Sequence, residues 1–238
     1  MNLDSLNERQ IEAITTIEGP LLVLAGAGSG KTKVLTTRIA YLIEELGIDP
    51  FNILAITFTN KASKEMKERI LNLIGPKANK MQISTFHSFG VTILKEHYKK
   101  LGYDKNFTIL DSDDVLSVIK KIMKENNIDI KDYNPKAIRS KISSAKNELI
   151  SPNDYEKFVS NEYEKKVLLV YQNYQRKLKT NNSIDFDDLL ILPIKLFEQE
   201  KEVLKQYQDR FHYVLIDEYQ DTNEAQYKFT KMISAKHK

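Results

Sequence analysis

The sequence predicts an α/β fold with a parallel sheet, because four short, almost entirely apolar runs alternate with helical patterns. The runs are "PLLVLA" (20–25), "NILAIT" (52–57), "MQIST" (81–85) and "YVLID" (213–217). Strands that are covered on both faces of a parallel sheet have this composition. Each run is followed by polar residues, and the alternation of strands and helices is typical of a doubly wound sheet.

A helix is predicted between the second and third runs, in "TNKASKEMKERILNLIG". Its apolar residues recur at helical spacing, and Asn60 and Gly75 have the residue types that begin and end helices. The apolar positions are Ala62, Met66, Ile70 and Leu73.

From residue 109 to the fourth run the pattern is helical, with no strand pattern. One helix has Asp111 or Ser112 as its cap, and another has Asn134 as its N-cap and Pro135 as its first residue. A third, "YEKKVLLVYQNYQRKLK", places Tyr163, Val167, Val170, Tyr171, Tyr174 and Leu178 on one face.

We therefore predict an all-helical insertion at 108–186 within an α/β domain formed by 1–107 and 187–238. Residues 131–180 hold eleven Lys/Arg against six Asp/Glu. A solvated helical surface explains this excess about as well as a phosphate-binding face does.

Composition excludes several classes of protein. The absence of Cys among 238 residues excludes disulfides, thiolate catalysis and Cys-based zinc sites, and the four His have no metal-ligand spacing. The first ten residues lack the pattern of a signal peptide, and the apolar runs are too short to cross a bilayer. The expectation is a cytoplasmic protein with no membrane partner.

The segment "AGAGSGKT" (25–32) lies between an apolar run and a helical pattern. It contains three of the eight glycines, Gly26, Gly28 and Gly30, in a stretch of five residues. This context is that of a P-loop, whose backbone N–H groups surround phosphates at a helix N-terminus. Lys31 would reach the β- and γ-phosphates, and Thr32 would hold Mg²⁺. The strict pattern begins with Gly where this chain has Ala25, and the alternative is a simple glycine-rich turn. The predicted nucleotide-binding residues here are Ala25, Gly26, Ala27, Gly28, Ser29, Gly30, Lys31 and Thr32.

Phosphoryl transfer to water also needs a carboxylate for the metal and a group that orients the water. "YVLIDEYQD" supplies both, because Asp217 and Glu218 directly follow an apolar run. Asp217 would bind Mg²⁺ through water, and Glu218 would activate the attacking water. Glu218 and Lys31 are the predicted catalytic residues, although two adjacent acids after a strand also occur by chance.

Six blocks now occur together and in order: "LNERQ", "AGAGSGKT", "AITFTNKAS", "ISTFHSF", "IDFDDL" and "IDEYQDTNEAQ". The chain resembles superfamily 1 DNA helicases of the UvrD, Rep and PcrA group from about Leu3 to Phe229. The resemblance implies a RecA-like domain that uses ATP and Mg²⁺ to move 3′ to 5′ on single-stranded DNA. Implied partners are single-stranded DNA, 3′-tailed duplex DNA, and repair or replication proteins.

The resemblance also implies roles for individual residues. Gln10 would read adenine, and Lys33 takes a position beside the base that is often Arg in this family. Gln220 and Asp221 would couple the nucleotide and DNA sites. Asp187 and Asp188 suit the start of a helix better than catalysis. The implied DNA contacts are Thr57, Phe58, Asn60, Thr85, Phe86, His87 and Phe186. The alternative for Phe58 is a place in the core.

Members of this group continue past the Asp-Glu motif with a further strand and a second motor domain that carries catalytic arginines. The resemblance thus implies that this sequence is an N-terminal fragment, almost inactive alone. Two other interpretations stay open: a P-loop subunit of a helicase–nuclease, and a non-motor, nucleotide-controlled DNA-binding module.

Overall fold

The computed structural model describes residues 3–26 and 28–237, and it confirms the predicted α/β class with a parallel sheet. Its backbone contacts divide the chain into two compact units. The first unit comprises Met1–Phe89, Glu200–Thr222 and Thr230–Lys238, and the second comprises Gly90–Gln199 and Asn223–Phe229. No helix in the described part of the chain is long and apolar enough to span a bilayer.

The helices and strands follow one another along the chain. In order they are α1 (Glu8–Thr15), α2 (Lys31–Glu44), β1 (Ile53–Thr57), α3 (Asn60–Ile74), β2 (Gln82–Thr85), α4 (Phe86–His97), β3 (Thr108–Ile109), α5 (Ser112–Glu125), α6 (Pro135–Asn147), α7 (Pro152–Tyr155), α8 (Glu162–Thr180), β4 (Ser183–Ile184), α9 (Asp188–Gln199), α10 (Lys201–Arg210), β5 (Tyr213–Ile216) and α11 (Glu224–Ser234).

The first unit contains a three-stranded parallel sheet in the order β2-β1-β5, which confirms three of the four predicted strands. All five residues of β1 are buried. Ile53 and Ala55 pack in the core that α2 and α3 share, while the alternate residues Leu54 and Ile56 are also fully buried. Since successive side chains of a strand point to opposite faces, β1 is covered on both faces.

The prediction of a strand at 20–25 is wrong: this segment is not part of a strand and pairs with none of the described strands. Its side chains are exposed, Leu24 by 85% and Leu22 by 64%. An apolar composition favours the burial of a segment, but a strand also needs a neighbouring backbone with which to form hydrogen bonds. The sheet of the described residues does not supply that neighbour.

Two details of α3 also correct the sequence analysis. The N-cap is Thr59 and not Asn60, because the Thr59 hydroxyl accepts a hydrogen bond from the amide of Ala62. Leu73 is 47% exposed, and the neighbouring Ile74 completes the buried face. Gly75 follows the last helical residue, as predicted.

In the second unit, α5, α6, α7 and α8 share one apolar core, and the caps at Asp111 and Asn134 are confirmed. Five of the six predicted residues on α8 are buried, and Tyr163 packs at the edge of this core. Strands β3 and β4, which pair in parallel, were not predicted. Each has only two residues, too few for an alternating pattern to be recognised.

Candidate functional site

The glycine-rich stretch forms a loop that leads directly into α2. Gly28 and Gly30 have φ values of 74° and 86°, in the left-handed region that glycine adopts without strain. The Ser29 hydroxyl donates to the carbonyl of Gly26 over 2.7 Å, which holds the loop closed. Gly30 occupies the N-cap of α2, so the free N–H groups of that helix point to the loop. Ala27 lies outside the described residues.

Lys31, the first residue of α2, folds back over this loop. Its Nζ donates to the carbonyl of Ala25 over 3.2 Å and to that of Gly26 over 3.4 Å. The ammonium group thus lies at the loop's carbonyl groups, where a phosphate oxygen would be a stronger, charged acceptor. The loop and its lysine together form an anion-binding arrangement at a helix N-terminus.

Gln10 lies against the same loop from α1. Its Nε2 donates to the carbonyl of Ser29 over 3.1 Å, and its Oε1 accepts from the amide of Asn7 over 3.0 Å. The second bond completes the capping box of α1, so the amide group is held from both sides. Lys33 donates from Nζ to the hydroxyl of Ser5 over 3.1 Å.

The two adjacent acids follow β5. The Asp217 amide donates to the carbonyl of Ile56 over 3.0 Å, which extends the parallel ladder by one bond. Burial, and then the charge of Glu218, raise the pKa of Asp217, whereas the charges of Lys31 and Arg69 act in the opposite direction. Lys31 is therefore within electrostatic range of this carboxylate.

Glu218 has a strained backbone, with φ at 51° in the left-handed region. Its carboxylate accepts a hydrogen bond from Nε2 of Gln220 over 2.5 Å, and its carbonyl accepts one from the amide of Asp221 over 3.0 Å. The two predicted coupling residues are thus bonded directly to the predicted catalytic acid.

The residues around the loop suit a magnesium–phosphate complex. No group of three or more metal-binding side chains occurs within residues 3–26 and 28–237. Mg²⁺ commonly binds proteins through only one or two carboxylates and takes its other ligands from phosphates and water. The hydroxyl of Thr32 and the carboxylate of Asp217 provide hard oxygen donors of this kind, so the chemistry of the donors fits Mg²⁺.

The predicted DNA-contacting motifs lie side by side at the carboxyl ends of β1 and β2, where Thr57 pairs with Thr85. Both threonines are buried, and Thr57 donates to the carbonyl of Thr59 over 3.1 Å. Phe58 meets Phe86 edge to face, with ring centroids 5.8 Å apart. Phe86 is buried at 1% exposure, whereas Phe58 is only partly buried. Phe58 is the member of this ring pair that solvent can reach.

Polar residues complete this sheet edge. The Ser88 hydroxyl lies 3.4 Å from Oδ1 of the exposed Asn60, and the Thr85 hydroxyl accepts from the amide of Ser88. Burial lowers the pKa of His87 to about 4, so its imidazole is neutral at pH 7. A neutral imidazole offers one donor and one acceptor, and it brings no positive charge for a phosphate.

Phe186 belongs to the second unit and is 58% exposed. It lies in the turn between β4 and α9, flanked by two buried acids, Asp185 and Asp188. The Asp185 carboxylate accepts from the amide of Asp188 over 2.9 Å, so Asp185 caps α9. Asp188 is the first residue of α9, as predicted, but the acid whose side chain caps the helix is Asp185, which precedes both Asp187 and Asp188.

Lys146 is a buried residue that the sequence analysis missed. Its Nζ donates to Asp185 over 2.6 Å and to Asp188 over 2.9 Å, and its side chain is 1% exposed. Burial alone favours neutral forms, but the two carboxylates keep the pKa of Lys146 above its usual value, and Lys146 keeps that of Asp185 below. Its spacing from Ile142, a buried residue one turn earlier, was the available sign.

Comparison with known proteins gives one consistent result. Residues 6–238 match the family described as the UvrD/REP helicase N-terminal domain. The chain is 53% identical over 232 residues to "ATP-dependent DNA helicase PcrA" of Bacillus subtilis, covering 98% of this chain and 31% of the relative. It is 50% identical over 236 residues to the Staphylococcus aureus (strain Mu50) protein of the same name, covering 99% and 32%. It is also 50% identical to that of Staphylococcus epidermidis. The chain therefore spans about a third of the length of these relatives.

Proposed function

This chain belongs to the UvrD/REP helicase N-terminal domain family, and we propose that it is the ATP- and DNA-binding part of an ATP-driven 3′–5′ DNA helicase. One observation carries the proposal. The carboxyl ends of β1, β2 and β5 bear the predicted DNA motifs and the paired acids, and the glycine-rich loop with Lys31 forms an anion-binding arrangement at the start of α2. In α/β sheets, ligands bind at this edge.

For the nucleotide, the loop amides and Lys31 would hold the phosphates, and Gln10 would bind the adenine. Thr32 and Asp217 would hold Mg²⁺, which supplies charge neutralisation for the phosphates when bound. Glu218 would orient the attacking water and accept its proton. Its bond to Gln220 suggests that Gln220 and Asp221 transmit the state of this carboxylate.

For the DNA, the two aromatic residues that solvent reaches, Phe58 and Phe186, would stack on bases of a single strand. Such stacking tolerates any base, which suits an enzyme that moves along a strand. Asn60 and His87 would add polar contacts, while the buried Thr57, Thr85 and Phe86 would shape the sheet edge.

The remaining part of the helicase would supply what this part lacks. A second motor domain with catalytic arginines, which the resemblance implies, would lie there, and such arginines typically contribute roughly 10³- to 10⁵-fold in rate. We place the protein in the cytoplasm, acting on 3′-tailed duplexes with repair or replication proteins. Since the relatives are named DNA helicases, a helicase–nuclease subunit and a non-motor module are not favoured.

The test combines binding of a fluorescent ATP analogue with ATP hydrolysis by the 238-residue chain, with and without single-stranded DNA. We expect Mg²⁺-dependent binding and very slow turnover. Lys31→Ala should abolish binding without unfolding the protein. The control is Lys77→Ala, which removes an exposed lysine paired with Glu44 on the surface. Binding that survives Lys31→Ala would refute the assignment of the nucleotide site.

A further inference from the structure

The buried ion cluster formed by Lys146, Asp185 and Asp188 has no part in the nucleotide chemistry proposed above. All four carboxylate oxygens in it are engaged. Asp185 accepts from Lys146 and from the Tyr174 hydroxyl through Oδ2, and from the Asp188 amide through Oδ1. Asp188 accepts from Lys146 through Oδ1 and from the Asp185 amide, at 3.3 Å, through Oδ2.

Such a cluster contributes less to the stability of a core than its number of bonds suggests. Burial raises the pKa of Asp188, and the charge of Asp185 acts in the same direction against that of Lys146. Desolvating ionic groups costs free energy that their attraction only partly returns, and well-packed apolar residues often serve stability as well or better. One explanation for keeping such a cluster, supported in some proteins, is that it fixes a specific local conformation. The geometry fixed here is that of the turn 185–188.

This turn presents Phe186. Its two ends are tied to each other by the reciprocal bonds between Asp185 and Asp188, and both are tied to α6 through Lys146. The middle of the turn is tied to the same helix, because Nδ2 of Asn147 donates to Asp187 over 3.0 Å. Two adjacent residues of α6 thus hold three of the four residues in the turn, and the fourth is the exposed phenylalanine.

We propose that Lys146 is a positioning residue for DNA binding: its ion pairs with Asp185 and Asp188 hold the turn rigid, so that Phe186 is presented ready to stack on a base of single-stranded DNA. A preorganised aromatic binds more tightly because less conformational freedom is lost on binding. The inference rests on the proposed function, since it assumes that Phe186 contacts DNA.

The test removes the three charges together, because removal of one alone would leave a buried charge uncompensated. The neutral-core variant is Lys146→Met with Asp185→Asn and Asp188→Asn. The matched control is Lys177→Met with Glu125→Gln, which removes a more exposed ion pair, of 2.9 Å, from the same unit. Binding to a single-stranded oligodeoxynucleotide that carries 2-aminopurine reports both the Kd and, through fluorescence, the stacking of a base on the aromatic ring.

We expect Phe186→Ala to raise the Kd roughly 5- to 150-fold, the range for one stacked base, and to remove the fluorescence change at one position of the oligonucleotide. The neutral-core variant should lose the same fluorescence change, with a rise in Kd in the same direction. Phe186→Ala should then have less than about a twofold further effect in that background. The surface control should bind like the wild type.

The outcomes separate the two proposals. If Phe186→Ala binds like the wild type, or if the wild type does not bind, the proposed DNA contact fails. If Phe186→Ala weakens binding but a folded neutral-core variant keeps the wild-type Kd and fluorescence, the positioning role of Lys146 is refuted.

Amide hydrogen exchange decides the positioning role without DNA. Faster exchange at 185–190, with the rest of the unit unchanged, supports the role, and unchanged exchange refutes it. Should the neutral-core variant not fold, Tyr174→Phe removes one donor to Asp185 and is judged by the same two measurements.

Discussion

Replacement of Tyr174 by Phe is a sharp test of the buried ion cluster, because the chain contains its own control. Tyr174 and Tyr171 lie one turn apart on α8, and both are almost fully buried. The Tyr174 hydroxyl donates to the carboxylate of Asp185 over 2.8 Å, whereas the Tyr171 hydroxyl donates to the backbone carbonyl of Ile150 over 3.0 Å. The two substitutions remove the same atom and differ in the charge of the acceptor.

The expected magnitudes follow from that difference. A hydrogen bond to a charged group contributes about 1.5–3 kcal/mol to stability, and one between neutral groups contributes about 1 kcal/mol. Tyr174→Phe should therefore lower the free energy of unfolding by about 1.5–3 kcal/mol, and Tyr171→Phe by about 0.5–1.5 kcal/mol. Asp185 would keep Lys146 as a donor, so the carboxylate is weakened and not orphaned.

Urea unfolding at pH 7, followed by far-UV circular dichroism, measures both variants, since the chain has no Trp for fluorescence. Comparison is valid if the dependence of the unfolding free energy on urea is the same in the wild type and both variants. A cost for Tyr174→Phe equal to or below that for Tyr171→Phe would refute an ionised, hydrogen-bonded Asp185 in the core.

Three further predictions concern other parts of the chain. Leu24→Ser should change stability by less than about 0.5 kcal/mol because Leu24 is 85% exposed, whereas Leu54→Ser in the buried β1 should cost several kcal/mol. Equal costs in urea unfolding would indicate that 20–25 is a buried strand after all. The free energy of unfolding should fall as the pH drops from about 6.5 to about 4, because His87 is protonated in the unfolded chain but stays neutral in the folded one, where burial lowers its pKa. His87→Gln should flatten this part of the dependence of stability on pH. An unchanged slope would contradict a buried, neutral imidazole. Asn147→Ala should cost about 1–3 kcal/mol, because it breaks the bond to the carboxylate of Asp187 and the bond from the side-chain amide of Asn223. Asn173→Ala, which loses one bond to a carbonyl of its own helix, should cost less in the same assay.

The sequence predicted most of the secondary structure where a local pattern is sufficient. Helix caps at Asp111 and Asn134 and the strands at 52–57, 81–85 and 213–217 each depend on a few adjacent residues, and all were recovered. The segment 20–25 was not, because a strand is a property of two backbones. Its composition is that of a buried strand, but composition cannot state which segment lies beside it.

The candidate site shows the same difference between features set by a local pattern and features set by residues distant in the sequence. A P-loop is recognisable because glycine, lysine and threonine positions along one loop dictate where a phosphate lies, and the structure gives the loop the closed form described above. Lys146 was hidden because its partners follow 39 and 42 residues later. It belongs to the basic segment 131–180, whose sequence is compatible with a solvated surface and with a phosphate-binding face, and only the fold shows that its charge is buried.

The buried position of the Lys146 charge can be explained from the start of α9. The helix α9 begins inside the core, where its free N–H groups need an acceptor, and Asp185 provides it. An ionised carboxylate is the strongest acceptor, but in a buried position it requires a cation, which Lys146 supplies. Once the cap, its charge and its counter-charge are fixed, the backbone at 186 has little freedom left. Phe186 is exposed at this point, but its backbone is held by the buried cluster. A ring that is accessible and held in place is what stacking on successive bases needs.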